Sequence, residues 1–163
     1  IVNTPLAGVD NHMPAMFRMM ARLRVPYILM SVQATIEQTL LCFAKKVQQL
    51  RDLGQKDIIL DPGFGFGKTV EENFLLLSRL ERLQVMELPL LVGFSRKSMI
   101  YKTLGITPEE ALNGTTVLNT VALMKGSSIL RVHDVREAVE CVKLTSHLSP
   151  LTPHLSLCSL NSD

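Results

Sequence analysis

Polar and charged residues recur where apolar runs end. Asn3 follows Ile1-Val2, Ser31 follows Tyr27-Ile28-Leu29-Met30, and Asp61 follows Ile58-Ile59-Leu60. Gly93 with Ser95-Arg96-Lys97-Ser98 closes the run from Leu88 to Phe94, and Arg131 with His133 closes Ile129-Leu130. Such groups cost free energy at the end of a buried strand unless something pairs with them. Five such endings in succession point to one shared site. Asp61 and Asn3 suit a flat heterocycle with adjacent N–H donors and a carbonyl, and Lys97 can neutralise a ring oxygen. Arg131 offers a planar guanidinium for stacking or for oxyanions, and His133 adds a second donor. Together they describe a heterocycle plus phosphate. Taken singly, each has a plainer role open to it. Asp61 can cap a loop, Arg96 and Lys97 can begin a solvated helix, and His133 can be a structural histidine.

The stretch that organises these residues is Asp61-Pro62-Gly63-Phe64-Gly65-Phe66-Gly67-Lys68-Thr69. An apolar run enters it and a helical pattern leaves it, so it reads as strand, glycine-rich loop, helix. Thr69 and Glu72 have capping-box spacing, which starts the helix at Val70. Loop amides at a helix N-terminus suit an anionic or polar ligand. The ending Gly67-Lys68-Thr69 imitates a phosphate-binding P-loop, but that motif needs a glycine where Pro62 stands. Pro62 also removes an amide that a phosphate nest would use.

Five elements of each kind must position these ends. The strands are read at Ile1–Asn3, Val25–Met30, Asp57–Leu60, Leu88–Phe94 and Ser128–Val132, with loop over residues 4–14. Helical periodicity covers Ala15–Arg24, Thr35–Leu53, Val70–Leu83, a stretch from Thr107 to Leu123 interrupted at Asn113-Gly114, and Val135–Leu144 capped by Asp134 and Glu137. Short linkers and fully apolar strands imply parallel strands with right-handed helical crossovers. The 163 residues suffice for one core, and a net charge of +2 with mixed signs implies no nucleic-acid surface. No apolar run reaches the roughly 18–20 residues of a membrane span, and no signal peptide opens the chain. Cys42, Cys141 and Cys158 are odd in number and widely spaced, which suggests a reducing, cytoplasmic setting with packing roles. The methionines of the first helix read as core. Residues 1–145 form the folded segment and 146–163 a tail.

Three motifs carry a resemblance. Asp61 to Lys68, Val92-Gly93-Phe94-Ser95-Arg96-Lys97-Ser98, and Leu130-Arg131-Val132-His133-Asp134-Val135 resemble the last three strand motifs of the dihydropteroate synthases. Ile1-Val2-Asn3 is similar to that family's strand-four motif and Tyr27 to Met30 to its strand five, so the likeness runs from residue 1 to about 144. It implies an α/β fold, part of a (β/α)8 TIM barrel with about five parallel βα units. The implied activity joins 4-aminobenzoate to 6-hydroxymethyl-7,8-dihydropterin diphosphate with Mg²⁺, releasing diphosphate, in a cytoplasmic homodimer. It further implies that Asn3, Asp61 and Lys97 hold the pterin, with Met30 and Gly93 lining its slot. Arg131 would stack on the pterin and, with His133, meet the diphosphate. Phe66 and Ser98 would face the aminobenzoate.

The sequence departs from the family at Thr4, where an aspartate is usual, and at Ser31, where a histidine is usual. The connection from Ser31 to Phe43 is about a dozen residues short. The family's first three strand motifs, with the metal and diphosphate loop, have no counterpart, and a complete barrel needs about 200 residues or more. The expectation is therefore a chain that extends upstream of Ile1, with the Mg²⁺ ligand there and two open sheet edges here. The alternatives are a shortened pterin-binding protein without turnover, or a pterin-binding methyltransfer domain.

Overall fold

A computed structural model describes residues 2–5 and 15–148. Cys158 and the tail from residue 149 lie outside the described residues, as does the 6–14 part of the loop predicted over residues 4–14, whose first two residues belong to β1. Five strands alternate with helices in chain order: β1 Val2–Pro5, β2 Tyr27–Met30, β3 Ile58–Asp61, β4 Leu91–Val92 and β5 Ile129–Leu130. The helices are α1 Ala15–Leu23, α2 Ile36–Asp52, α3 Val70–Ser78, α4 Ser98–Leu104, α5 Leu112–Met124 and α6 Val135–His147.

Every strand pairing is parallel. β2 pairs with both β1 and β3, and β4 pairs with β5. The Leu60 amide donates to the Pro89 carbonyl at 2.8 Å, and Leu60 bridges to Leu90, which joins the two sets into one arc in chain order. β4 is shorter than the apolar run from Leu88 to Phe94 predicts. Pro89 has no N–H to give the ladder, and pairing with β5 lasts only over Leu91 and Val92. Both residues of β5, at the last position in the arc, stay half-buried.

Capping settles the helix starts. Thr35 accepts the Gln38 amide at 3.2 Å to begin α2, and the predicted capping box of α3 is present between Thr69 and Glu72. The pattern read as one helix to Leu83 divides into α3 and a 3-10 segment, Leu80–Met86.

Three predicted features need correction. α4 interposes where only a helix start was considered. Residues 107–111 form turns, and Asn113-Gly114 lies inside α5 instead of breaking it. A Cβ on Gly114 would overlap Ile100 Cγ2, so the glycine serves close approach of α5 to α4. Asp134 makes no cap hydrogen bond to α6. That helix runs to His147, past the expected end at Leu144 and past the 145/146 division between folded segment and tail.

The core lies between the arc and its helices. Phe17, Tyr27, Phe43, Leu50, Leu60 and Leu80 are fully buried. At the C-terminal ends of the strands, Phe64 and Phe94 meet at 4.5 Å between ring centroids and form an apolar floor under two of the rim loops. Cys141 is buried with its thiol 3.7 Å from the Thr116 carbonyl, and Cys42 is half-buried on α2, both in keeping with packing. Among the described residues, no helix is long and apolar enough to cross a membrane.

Candidate functional site: a buried carboxylate ringed by cations

Asp61 ends β3 and is 1 % exposed. Its Oδ1 accepts the Gly63 amide at 2.7 Å. Gly63 has φ +67, and a Cβ there would overlap the Ser31 carbonyl oxygen, so the turn requires glycine. Oδ2 of Asp61 is buried without a hydrogen-bond partner. Arg131 Nη2 lies 3.4 Å from it, within ion-pair range but without hydrogen-bond geometry. Burial pushes the Asp61 carboxyl up from its ordinary value, opposed by the Gly63 amide and by Arg131, Lys97 and Lys68. A buried acceptor left unmet in the free protein is a place for a ligand's donors.

Lys97 reaches the same ground from the loop after β4. Its Nζ donates to the Phe64 carbonyl and sits 4.7 Å from the centre of the Phe66 ring, which is itself 43 % exposed. Burial first, then the Arg131 charge, lowers the Lys97 ammonium to about 8, with Asp61 opposing. Gly93 backs onto Arg131, where a Cβ would come within 3.2 Å of Nε. Met30 pairs in register with Asp61 and is 2 % exposed. Ser98 opens α4 and is half-buried.

Two predicted residues sit further out. Asn3 is not the strand end: β1 continues through Thr4 to Pro5, and Asn3 holds the register of Ile28. The Met30–Asp61 rung corresponds to Pro5, so Asn3 lies two rungs below it, roughly 6–7 Å along the strand. His133 is exposed at the rim; its backbone amide donates to Ser95 Oγ at 3.1 Å, which ties the loop after β5 to the loop after β4.

A second tie joins those loops. Arg96 grips Asp134 with two nitrogens, at 2.8 and 3.3 Å, and its backbone amide donates to Thr115 Oγ1. Arg96 adopts φ +54, an uncommon left-handed conformation that these contacts hold in place. The pairing lowers the Asp134 carboxyl below its ordinary value. Sequence reasoning assigned Asp134 to a helix cap. The available signal was that opposite charges follow the ends of consecutive strands. Two further polar residues, Lys68 and Asn73, brace the loop after β3 from within. Asn73 is 1 % exposed, accepts the Gly65 amide at 2.7 Å and donates to the Thr69 carbonyl at 2.6 Å.

Comparison with known proteins identifies the family. The family described as "Pterin binding enzyme" matches residues 1–133. The dihydropteroate synthase of Escherichia coli strain K12 is 47 % identical over 92 residues, 56 % of this chain and 33 % of that protein. The dihydropteroate synthase of Streptococcus pyogenes serotype M3 is 36 % identical over 158 residues, 91 % of this chain and 59 % of that protein. Among solved structures, the Yersinia pestis enzyme with a pterine-sulfa conjugate superposes with a TM-score of 0.80 at 34 % identity. That match covers 85 % of this chain and 57 % of that one. The chain thus spans between a third and about three-fifths of the length of these relatives. The arc of parallel βα units is the corresponding part of their TIM-barrel fold, and the chain belongs to the pterin binding enzyme family.

Proposed function

We propose that the rim site binds a pterin, and that within a protein of its relatives' full length it serves dihydropteroate synthesis. The observation that carries this reading is the buried Oδ2 of Asp61, which has no hydrogen-bond partner and lies 3.4 Å from Arg131 Nη2. A pterin edge presents adjacent N–H donors to such a carboxylate, and Lys97 faces the ring's carbonyl. Met30 and Gly93 are cast as lining the slot, and Asn3 as holding the pterin with Asp61 and Lys97.

In the reaction, the C–O bond between the pterin methylene and diphosphate breaks, and its electron pair leaves with the diphosphate. The amine of 4-aminobenzoate then attacks the methylene carbon, and the nitrogen's surplus proton passes to solvent or diphosphate. Lys97, Arg131 and His133 are cast as the groups that stabilise the departing charge. Phe66 and Ser98 face the aminobenzoate, supported by the exposure of the Phe66 ring beside Lys97. Mg²⁺ belongs to the same reading, and no step here runs through it; among the described residues, no group of three His, Cys, Asp or Glu side chains lies together. Cytoplasmic placement and a homodimer belong to the same reading.

A second reading is pterin binding without turnover, favoured because the match covers only 59 % of the Streptococcus pyogenes relative while the rim groups cast to meet the heterocycle are all on this chain. Mixing the chain with both substrates and Mg²⁺ separates the two. Steady dihydropteroate formation would establish catalysis by these residues. Calorimetric binding of 6-hydroxymethylpterin without product is the result expected of this chain alone. Absence of binding would overturn both readings.

A further inference from the structure

Lys68 occupies the position that a phosphate-binding lysine would take, yet it points the other way. Its Nζ donates to the carbonyls of Pro62 at 3.0 Å, Gly63 at 2.9 Å and Phe66 at 3.3 Å. All three donors of the ammonium are thereby turned inward on the loop that carries it. Asn73 completes the brace from α3, holding the Gly65 amide and the Thr69 carbonyl.

The carbonyls that Lys68 gathers belong to the residues that matter for the site. Gly63 supplies the amide that occupies Asp61 Oδ1, which leaves Oδ2 as the free acceptor. The Phe66 amide donates back to the Gly63 carbonyl at 3.1 Å, so the Lys68 contacts to Gly63 and Phe66 close a ring under the exposed Phe66 side chain. Phe66 is the ring over which Lys97 sits.

We propose that Lys68 is a positioning residue: by tying three loop carbonyls to one ammonium, it holds Asp61 and Phe66 in the geometry that receives the two substrates. Lys68 touches neither substrate itself, and this role rests on the pterin reading above. Burial lowers its ammonium to about 8, opposed by the charges of Asp61 and Glu72. The charges that reach Asp61 are Arg131, Lys97 and Lys68, and the Gly63 amide is its hydrogen-bond donor.

The test compares wild type, Lys68→Met and Asp61→Asn as full chains by amide hydrogen exchange, by carbon NMR titration of the Asp61 carboxyl and by calorimetry with 6-hydroxymethylpterin. In Lys68→Met, exchange at Gly63 and Phe66 should rise while the β2 and β3 amides keep their protection. The Asp61 midpoint should move upward, because a charge and a firmly held amide that favour the carboxylate are both weakened. Pterin affinity should fall about tenfold, the scale of one lost anchoring contact. Unchanged exchange at Gly63, an unmoved Asp61 midpoint or unchanged pterin affinity would each overturn the proposal. A general destabilisation would raise exchange everywhere, the β2 and β3 amides included, which also counts against it. Should methionine prevent folding, Lys68→Arg keeps the charge but spreads its donors over a plane, and it is read by the same three outcomes. If wild type itself does not bind the pterin, the functional reading fails, while exchange and titration still decide whether Lys68 sets the loop.

Discussion

Replacing Asp61 by asparagine tests the functional reading and the structural one in opposite directions. The amide oxygen of asparagine can still accept the Gly63 N–H, so the loop keeps its turn. The other position, now held by Oδ2, becomes an NH₂ group that faces Arg131 and any incoming N–H donors. Binding loses a charge-assisted hydrogen bond worth ~1.5–3 kcal/mol, and pterin affinity should fall roughly ten- to a hundredfold. Stability should move the other way. The folded-state pKa of Asp61 is raised, chiefly by burial, so the native protein holds this proton more tightly than the unfolded chain. A carboxyl of that kind favours folding at low pH, and the advantage is lost as pH rises through its folded pKa. At neutral pH the buried charge therefore weakens the fold, and a neutral asparagine of the same shape removes that cost. Calorimetric titration with 6-hydroxymethylpterin and a thermal unfolding scan on the same two proteins are the measurements. Affinity down with the melting midpoint equal or higher is expected. Equal heats for both proteins would refute pterin recognition by Asp61, and a large drop in the midpoint would show that Asp61 serves the fold.

Raising the pH should deprotonate Lys97 near 8 and weaken capture of an anionic pterin diphosphate, with Lys97→Met flattening that part of the profile. Over the same range, stability should gain from Lys97, because a folded pKa below 10.5 means the unfolded chain binds more protons there. Denaturant unfolding at pH 7 and pH 9 checks the sign. Asp134→Asn should weaken pterin binding as well as lower the melting midpoint, because Arg96 then loses its carboxylate and no longer fixes the loop that carries Lys97; a pure stability loss would show that the Arg96–Asp134 tie serves the fold and not the site. Gly114→Ala should lower the melting midpoint, since overpacking against Ile100 costs ~1–3 kcal/mol and exceeds the gain of up to ~1 kcal/mol in helix propensity. A raised midpoint would show that α4 and α5 part easily.

The elements that a one-dimensional pattern specifies were legible. The capping box at Thr69 and Glu72, the glycine-bearing turn after Asp61 and the parallel alternation of strands and helices each depend on residues close in sequence. What eluded the sequence depends on distant partners. Asn113-Gly114 is a turn signal by itself, and only the proximity of Ile100 turns the glycine into a packing device. Asp134 stands where a cap belongs, but Arg96, displaced by 38 positions, competes for it and wins. The end of β1 is set by pairing with β2, which carries the strand two residues beyond Asn3. Lys68 and Asn73 looked like a loop cation and a helix residue because their partners are backbone carbonyls and amides, which carry no residue-type signal.

The site also explains its own charge. One buried carboxylate stands among Arg131, Lys97 and Lys68, and burial disfavours the ionised state of Asp61 and of both lysines. Attraction between the carboxylate and the cations offsets only part of that cost, since Asp61 is still raised and both lysines are still lowered to about 8. The free protein therefore holds the rim in an electrostatically unfavourable arrangement, with a surplus of positive charge and one unmet acceptor. A ligand that brings N–H donors for Asp61 and an anionic tail for the cations relieves both defects at once. A neutral heterocycle relieves only the first, and a bare phosphate only the second. The proposed preference for a heterocycle joined to phosphate rests on the way these groups are left incompletely satisfied, beside the Phe64–Phe94 contact and the inward-turned Lys68.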